Sequence, residues 1–288
     1  MAELVQGDGR THISSGLMRE SLVSTKLLAD THHEKVIPMV PDVNMITIGG
    51  QSIMDRGAEG VLPLVDTIIK AKELGHKMVL GVGGGTRARH TYSIGVDLGL
   101  PVGGLARIVG GVEEQNRNML QFLLAPHGGI TFVKDHFQDL QLFLSGGMIP
   151  ICIGQPPYHF WEPPPLKGGF PDNGPDVGLF LMAEIIGAKT MIYVKDVDGV
   201  YTDNPNKNPD AEFIKEISAL DLLDRNYPDL PIERELLRTL ENARLVTSVR
   251  VINGLNPENL IKAMNGEDVG THIYSQRALD AKNSGDNT

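Results

Sequence analysis

The chain is poor in the features that would place it outside the cell or in a membrane. Cys152 is the single cysteine among 288 residues, so no disulfide can close within the chain and a disulfide-built extracellular scaffold is excluded. The first residues, Met1-Ala-Glu-Leu-Val-Gln-Gly-Asp8, have neither the basic nor the apolar region of a secretion signal. No apolar run comes near the ~20 residues of a membrane-spanning helix. A reducing cytoplasm is the expected location. Positive charge is also scarce: 26 Lys and Arg against 36 Asp and Glu leave a formal charge of −10. General nucleic-acid binding needs a basic surface that displaces counterions from phosphate, so that class is set aside. Any bound anion must be met by locally arranged cations or backbone N–H groups. What remains, 41% hydrophobic and 22% charged residues, is the balance of a globular chain with a core to bury.

Regular patterning starts near residue 44. Residues 1–40 show no sustained period and are read as an N-terminal arm: Leu17, Met18, Leu22, Leu27 and Leu28 would make one helical face, and Thr31-His-His33 is followed by Pro38 and Pro41. His32 and His33, adjacent and without cysteine partners, read as solvated. A domain is expected over 41–276. Met45–Ile48 is a predicted strand, Gly49–Ser52 a glycine turn, and Ala58–Leu74 a helix with Val61, Leu64, Val65, Ile68 and Ile69 at helical spacing, stopped by Gly75. Met78–Leu80 is the next strand and runs into a second glycine loop, Gly81–His90. Strand, helix, strand in this order predicts a parallel sheet, whose crossovers leave ligand-binding loops at the carboxyl ends of strands. Further units follow: a helix over 113–125, strands over 130–133 and 149–153, a helix over 176–187, helices near 219–225, 232–245 and 257–264, and strands over 248–252 and 271–274. Residues 277–288 are expected to form a disordered tail. Between Gln155 and Pro175, seven prolines exclude a helix or a central strand. A structureless loop longer than ~15 residues in a compact domain is functional or disordered.

The most distinctive loop follows the apolar run Thr190–Val194. It reads Lys195-Asp-Val-Asp-Gly-Val-Tyr-Thr-Asp-Asn-Pro205. Asp198-Gly199 makes a tight turn, Tyr201 offers a flat ring, Asp203-Asn204-Pro205 makes a second turn, and Lys207 adds a cation. A nucleotide would find here a ring for its base, polar groups for its ribose and an ammonium for phosphate. Composition alone fits a plain turn at a strand end equally well.

Taken in order, Ile48-Gly-Gly50, Gly83-Gly-Gly85 with Arg89, the helix entry at Asp176, Lys195–Pro205 and Gly266-Glu-Asp-Val-Gly-Thr271 resemble the amino acid kinase superfamily, in its uridylate kinase-like branch. The resemblance spans roughly residues 44–274 and implies a three-layer α/β/α sandwich around a mainly parallel sheet. Within that branch, Gly50-Gln-Ser-Ile-Met-Asp-Arg-Gly57, Gly85-Thr-Arg-Ala-Arg-His-Thr-Tyr-Ser93 with Leu98-Gly-Leu-Pro101, and Pro156-Pro-Tyr-His-Phe-Trp161 resemble the molybdenum storage family. That likeness implies a hollow hexamer, of one or two kinds of subunit, that binds ATP with Mg²⁺ and accumulates molybdate or tungstate as polyoxometalate clusters. Carried over motif by motif, it implies phosphates lying over Thr47, Ile48, Gly49 and Gly50 and facing Gly84, Gly85 and Arg89. Lys195, Asp198, Gly199, Tyr201, Asn204 and Lys207 fall around the base and ribose. Asp176 matches an acid that orients the phosphate-binding groups, a catalytic role compatible with capping a helix.

One departure bears on chemistry. Kinases of this superfamily carry a lysine just before the Gly-Gly, where this chain has Thr47, and phosphoryl transfer depends on positive charge placed where charge develops. Val109-Gly-Gly-Val-Glu-Glu-Gln-Asn116 also lacks the acidic residue expected after Val-Gly for a uridine monophosphate acceptor. A uridylate kinase-like phosphotransferase is therefore the alternative reading, with Lys207, Lys195 or Arg56 to compensate, and an ATPase coupled to oxoanion uptake stays open. For the oxoanion side, imidazole, carboxylate and hydrogen-bond donors are the relevant chemistry. The proline-rich loop offers His159 and Glu162 with Tyr158, Trp161 and Lys167. His127 and His136 flank the third strand and fit ordinary surface residues better than ligands. Gln115, with Asn116, is expected to open a helix N-terminus, a place that favours anions.

Overall fold

The computed structural model describes residues 4–6, 11–13, 37–132, 136–155, 171 and 173–283. The chain divides into two compact units, Met1–Ile37 with Asp286–Thr288, and Pro38–Gly285. In the first, β1 (Leu4–Gln6) pairs antiparallel with β2 (Thr11–Ile13). The helical face expected over Leu17–Leu28, and His32 and His33, lie outside the described residues.

The second unit is built on a strand with no polar side. All six residues of β3 (Val43–Ile48) are buried, a pattern that only a strand covered on both faces permits. Its neighbours are β4 (Lys77–Val82) and β7 (Thr190–Lys195), both parallel to it. Beyond β4 come β6 (Ile149–Ile153) and then β5 (Gly129–Thr131) at one edge. Beyond β7 come β11 (Ser248–Asn253), β12 (Thr271–Tyr274) and β10 (Glu216–Ser218). The ladder is parallel from β5 to β11; β12 runs antiparallel to β11, and β10 pairs parallel with β12. A two-stranded ribbon, β8 (Val200–Tyr201) with β9 (Phe213–Ile214), stands apart from the sheet.

Alternate residues of each strand feed two cores. Met45, Val79 and Tyr193 face one layer with Val177, Phe180 and Ala183 of α5 (Pro175–Ile186) and Leu236 and Leu240 of α7 (Arg234–Glu241). Ile46, Leu80 and Ile192 face the other, with Leu64 and Ile68 of α1 (Ala58–Glu73), Leu120 of α3 (Val102–Leu124) and Leu260 of α8 (Glu258–Met264). Each such aliphatic side chain removed from water contributes about 1.5–3 kcal/mol. The result is the expected three-layer α/β/α sandwich around a mainly parallel sheet. The remaining helices are α2 (Gly85–Asp97), α4 (Phe137–Ser145), α6 (Ala219–Arg225) and α9 (Gln276–Asn283). Among the described residues no helix is long and apolar enough to cross a membrane.

Three local expectations are corrected. The second glycine loop is shorter than predicted, because α2 begins at Gly85. The helix expected from residue 113 begins at Val102, directly after Pro101, and its buried positions Val102, Leu105, Ala106, Val109, Glu113, Asn116 and Leu120 keep helical spacing straight through Gly110-Gly111. Gln115 and Asn116 therefore sit in a helix interior and open no N-terminus. Residues 277–283, expected to be disordered, belong to α9, whose first amides are capped by Ser275 Oγ and by the buried Glu241 carboxylate.

Candidate functional site

Register brings the carboxyl ends of three strands level, with Ile48 opposite both Val82 and Val194. The loops that leave those ends enclose a cleft of about 570 Å³, within the usual range for a small-molecule site. The first loop turns at Gly49, whose amide donates to Val194 O at 3.0 Å. A Cβ on Gly50 would lie 2.2 Å from the Gly85 amide nitrogen, so only glycine lets the two loops meet. The second loop is fixed by the Gly83 amide donating to Ile48 O at 3.1 Å. Asp55 ties the loops together: its own amide donates to Gly50 O at 2.9 Å, and its Oδ2 accepts from the Thr86 amide at 2.6 Å, capping α2 just after Gly85 turns at φ 71°. Behind them Asn116 Nδ2 donates to Gly83 O at 2.7 Å, while Arg87 donates to Asn116 Oδ1 and, at 2.8 Å, to Gln115 Oε1. Gln115 thus braces a guanidinium.

Two buried polar atoms facing this cleft, Thr47 Oγ1 and Gln155 Oε1, have no hydrogen-bond partner among the described residues. A buried polar group left unsatisfied costs roughly 1–3 kcal/mol, so a partner at either position is stabilising. Glu113, buried on α3, accepts from the Gln155 amide at 2.8 Å and holds the start of the segment after β6.

At the floor, Lys195 Nζ donates to Asp176 Oδ1 and Oδ2 at 3.1 and 3.0 Å. The side chains are only 12% and 8% exposed, so this pair is screened far less than a surface bridge. Asp176 lies in the first turn of α5, and Tyr193 Oη donates to its carbonyl at 2.8 Å. Burial, then the charges of Asp176 and Glu233, push the Tyr193 phenol far above its ordinary value, so it remains a donor. Glu233 accepts from the amides of Gly174, Asp176 and Val177 at 3.1, 3.3 and 3.2 Å. Burial first, and the Asp176 charge second, raise its carboxyl to about 7, opposed by those backbone hydrogen bonds and by Lys195.

The far wall carries the loop after β7. Tyr201 and Asn204 line the cleft with Gly199. Tyr201 meets Phe213 edge-on at 5.5 Å, and Asn204 Nδ2 donates to Asp229 Oδ2 at 2.6 Å. Of the other residues placed here from sequence, Gly49, Gly50, Gly84, Gly85, Arg89 and Lys195 also border the cleft, with Arg89 exposed. Lys195 is next to the glycine loops, since a Cβ on Gly49 would come 3.4 Å from its Cδ. Ile48 stands outside the lining, its carbonyl accepting from the Gly83 amide. Asp198 and Lys207 stand outside the lining, Asp198 accepting from Asn253 Nδ2 at 2.9 Å. Arg56 is also outside it, held by Asp196 at 2.9 Å.

Of the residues set out for the oxoanion, the described ones, His127, His136 and Gln115, do not gather. His127 is exposed beside Lys72 and Glu73 in a separate hollow, and His136 is exposed 3.8 Å from Asp139. Among the described residues no group of three or more His, Cys, Asp or Glu could hold a metal ion. His159 and Glu162, with Tyr158, Trp161 and Lys167, lie outside the described residues. Sequence reasoning missed Glu113, Gln155 and Glu233. Glu233 stands 57 residues from Asp176 with no motif around it, and only the fold makes them neighbours.

A parallel sheet with paired glycine loops at the carboxyl ends of its central strands defines a class of α/β proteins that bind ligands at that edge. The chain belongs to the amino acid kinase family, whose model matches residues 43–253. It is 43% identical over 257 residues to the molybdenum storage protein subunit beta of Azotobacter vinelandii, covering 89% of this chain and 95% of that one. It is 28% identical over 241 residues to the uridylate kinase of Methanobrevibacter smithii, covering 81% and 99% respectively. The crystal structure of uridylate kinase from Archaeoglobus fulgidus matches with a TM-score of 0.63 at 23% identity, over 80% of this chain and 99% of that one, a likeness of fold.

Proposed function

We propose that this chain is a subunit of a molybdenum or tungsten storage protein, binding ATP with Mg²⁺ in the cleft and sequestering molybdate or tungstate as polyoxometalate clusters inside an oligomeric cage. The observation that carries this reading is the 43% identity to a molybdenum storage subunit along 95% of its length. The cleft fits a nucleotide: Gly50 and Gly85 let two backbone loops meet at its edge, Thr47 Oγ1 and Gln155 Oε1 have no partner among the described residues, and Tyr201 and Asn204 offer a ring and an amide to base and ribose. Mg²⁺ takes most of its ligands from phosphates and water, so one or two carboxylates such as Asp176 would suffice beside the bound nucleotide.

Binding is favoured over transfer by the state of the cations. β3 carries Thr47 just before its last residue, Lys195 is committed to Asp176, Arg56 and Lys207 lie outside the cleft lining, and Arg89 borders it exposed. Assembly, with itself as a hexamer or with a related subunit, is supported by apolar side chains left exposed on α2, just after it and on α3: Ile94, Leu98, Ile108, Met119 and Phe122, the last 73% exposed. Protein purified after growth with molybdate should carry many metal atoms per chain by plasma emission, and native mass spectrometry should report the subunit count. One metal atom per chain or fewer would sink storage.

The second reading, a uridylate kinase-like phosphotransferase acting on a nucleoside monophosphate or other small acceptor, is favoured by the uridylate kinase relative at 28% identity. It requires ADP release dependent on an acceptor; a flat coupled assay across uridine monophosphate and other monophosphates counts against it.

A further inference from the structure

The N-terminus of α5 opens into the cleft, and its amides are already taken. Glu233, the residue before α7, reaches across so that its carboxylate accepts from Gly174, Asp176 and Val177, the set of donors a bound oxoanion would use. Gly174 is shaped to this arrangement, because a Cβ there would stand 2.2 Å from Glu233 Oε1. The charged and titratable groups around it are Asp176 on α5, Lys195 and Tyr193 on β7, Asp229 held by Asn204, and Arg234 turned to the carbonyl of Tyr227. None of the three cations and donors points a free charge at the α5 amides. In the same cleft Thr47 Oγ1 and Gln155 Oε1, both nine-tenths or more buried, have no partner among the described residues, while the α5 end is filled from within.

We propose that Glu233 is the specificity-determining residue of this cleft: its carboxylate holds the α5 N-terminus closed to a second, phosphate-like anion and leaves room for one anionic chain at the glycine loops. The inference deepens the nucleotide-binding reading and rests on it. Exclusion follows from geometry: the three amide donors are already used, and the carboxylate stands where a competing anion would have to sit.

The test uses sulfate, a tetrahedral anion, titrated calorimetrically at one pH into the full-length protein and into Glu233→Gln, which keeps the shape and loses the charge. Thermal melts confirm that the variant is folded. The variant should bind sulfate about tenfold or more tightly than the unmodified protein. Equal affinities of the two proteins overturn the proposal. A parallel titration with the non-hydrolysable ATP analogue AMPPNP and Mg²⁺ separates the two readings. Failure of the analogue to bind refutes the nucleotide site, and the sulfate comparison still decides the role of Glu233.

Discussion

Lys195→Met is the sharpest probe of the floor of the cleft. The ammonium lies 3.0 Å from Asp176 Oδ2 with both side chains almost out of water. At an effective dielectric near 20 the gross attraction is roughly 5 kcal/mol, most of it offset by the desolvation of the two groups. Taking away one partner leaves the other buried and uncompensated, which costs about 3–5 kcal/mol, against 0–1 kcal/mol for an exposed pair. Here the orphan is a carboxylate with a second acid beside it. Glu233 is raised from 4.5 to about 7 in the folded protein, so its contribution to stability is complete below the unfolded value and is lost as pH rises through 7. Removing Lys195 also removes one of the influences holding that value down. The variant should therefore lose about 3–5 kcal/mol at pH 8 and clearly less at pH 6, where a proton on Glu233 takes up part of the unbalanced charge. Urea unfolding of both proteins at the two pH values, compared at equal m, measures this. A loss under about 1 kcal/mol at pH 8, or the same loss at both pH values, would refute the reasoning.

Gly50→Ala places a methyl 2.2 Å from the Gly85 amide nitrogen and should cost about 1–3 kcal/mol in thermal unfolding, with loss of AMPPNP binding by calorimetry. Thr47→Lys puts a cation at the end of β3 and should raise ATP hydrolysis in a phosphate-release assay; vigorous hydrolysis by the unmodified protein would refute a passive nucleotide site. Asp55→Ala removes the acceptor at the Thr86 amide and should cost about 1 kcal/mol, since α2 has no side-chain cap from its own N-cap residue.

Much of this architecture is legible in the sequence because the central strands are short apolar runs ended by glycine. Val43–Ile48, Lys77–Val82 and Thr190–Lys195 are each followed within a few residues by loops whose glycines announce a close approach of backbones. Where reading failed, local composition pointed away from what packing imposes. Gly110-Gly111 looks like a helix break, yet a Cβ on Gly111 would meet nothing within 4 Å and one on Gly110 only Ile153 at 3.8 Å, so these glycines give α3 a flat place and leave its course unchanged. α2 buries only Ala88 and Gly95 and lacks the apolar stripe that marks a helix. In the site, the glycine loops, Asp176, Lys195, Tyr201 and Asn204 were legible as motif members. Glu113 and Glu233 were not, because each acts on a backbone 42 and about 57 residues away and has ordinary helix-forming neighbours.

Asp55 carries a consequence for motion. Its amide is anchored on the first glycine loop and its carboxylate on the second, while Gly83 is hydrogen-bonded to the end of β3, so neither loop can open without breaking a bond to the other. The two loops should therefore open as one cooperative unit. In amide hydrogen exchange the protons of Asp55, Gly83 and Thr86 would be released at a common rate, and a ligand contacting either loop would slow all three together.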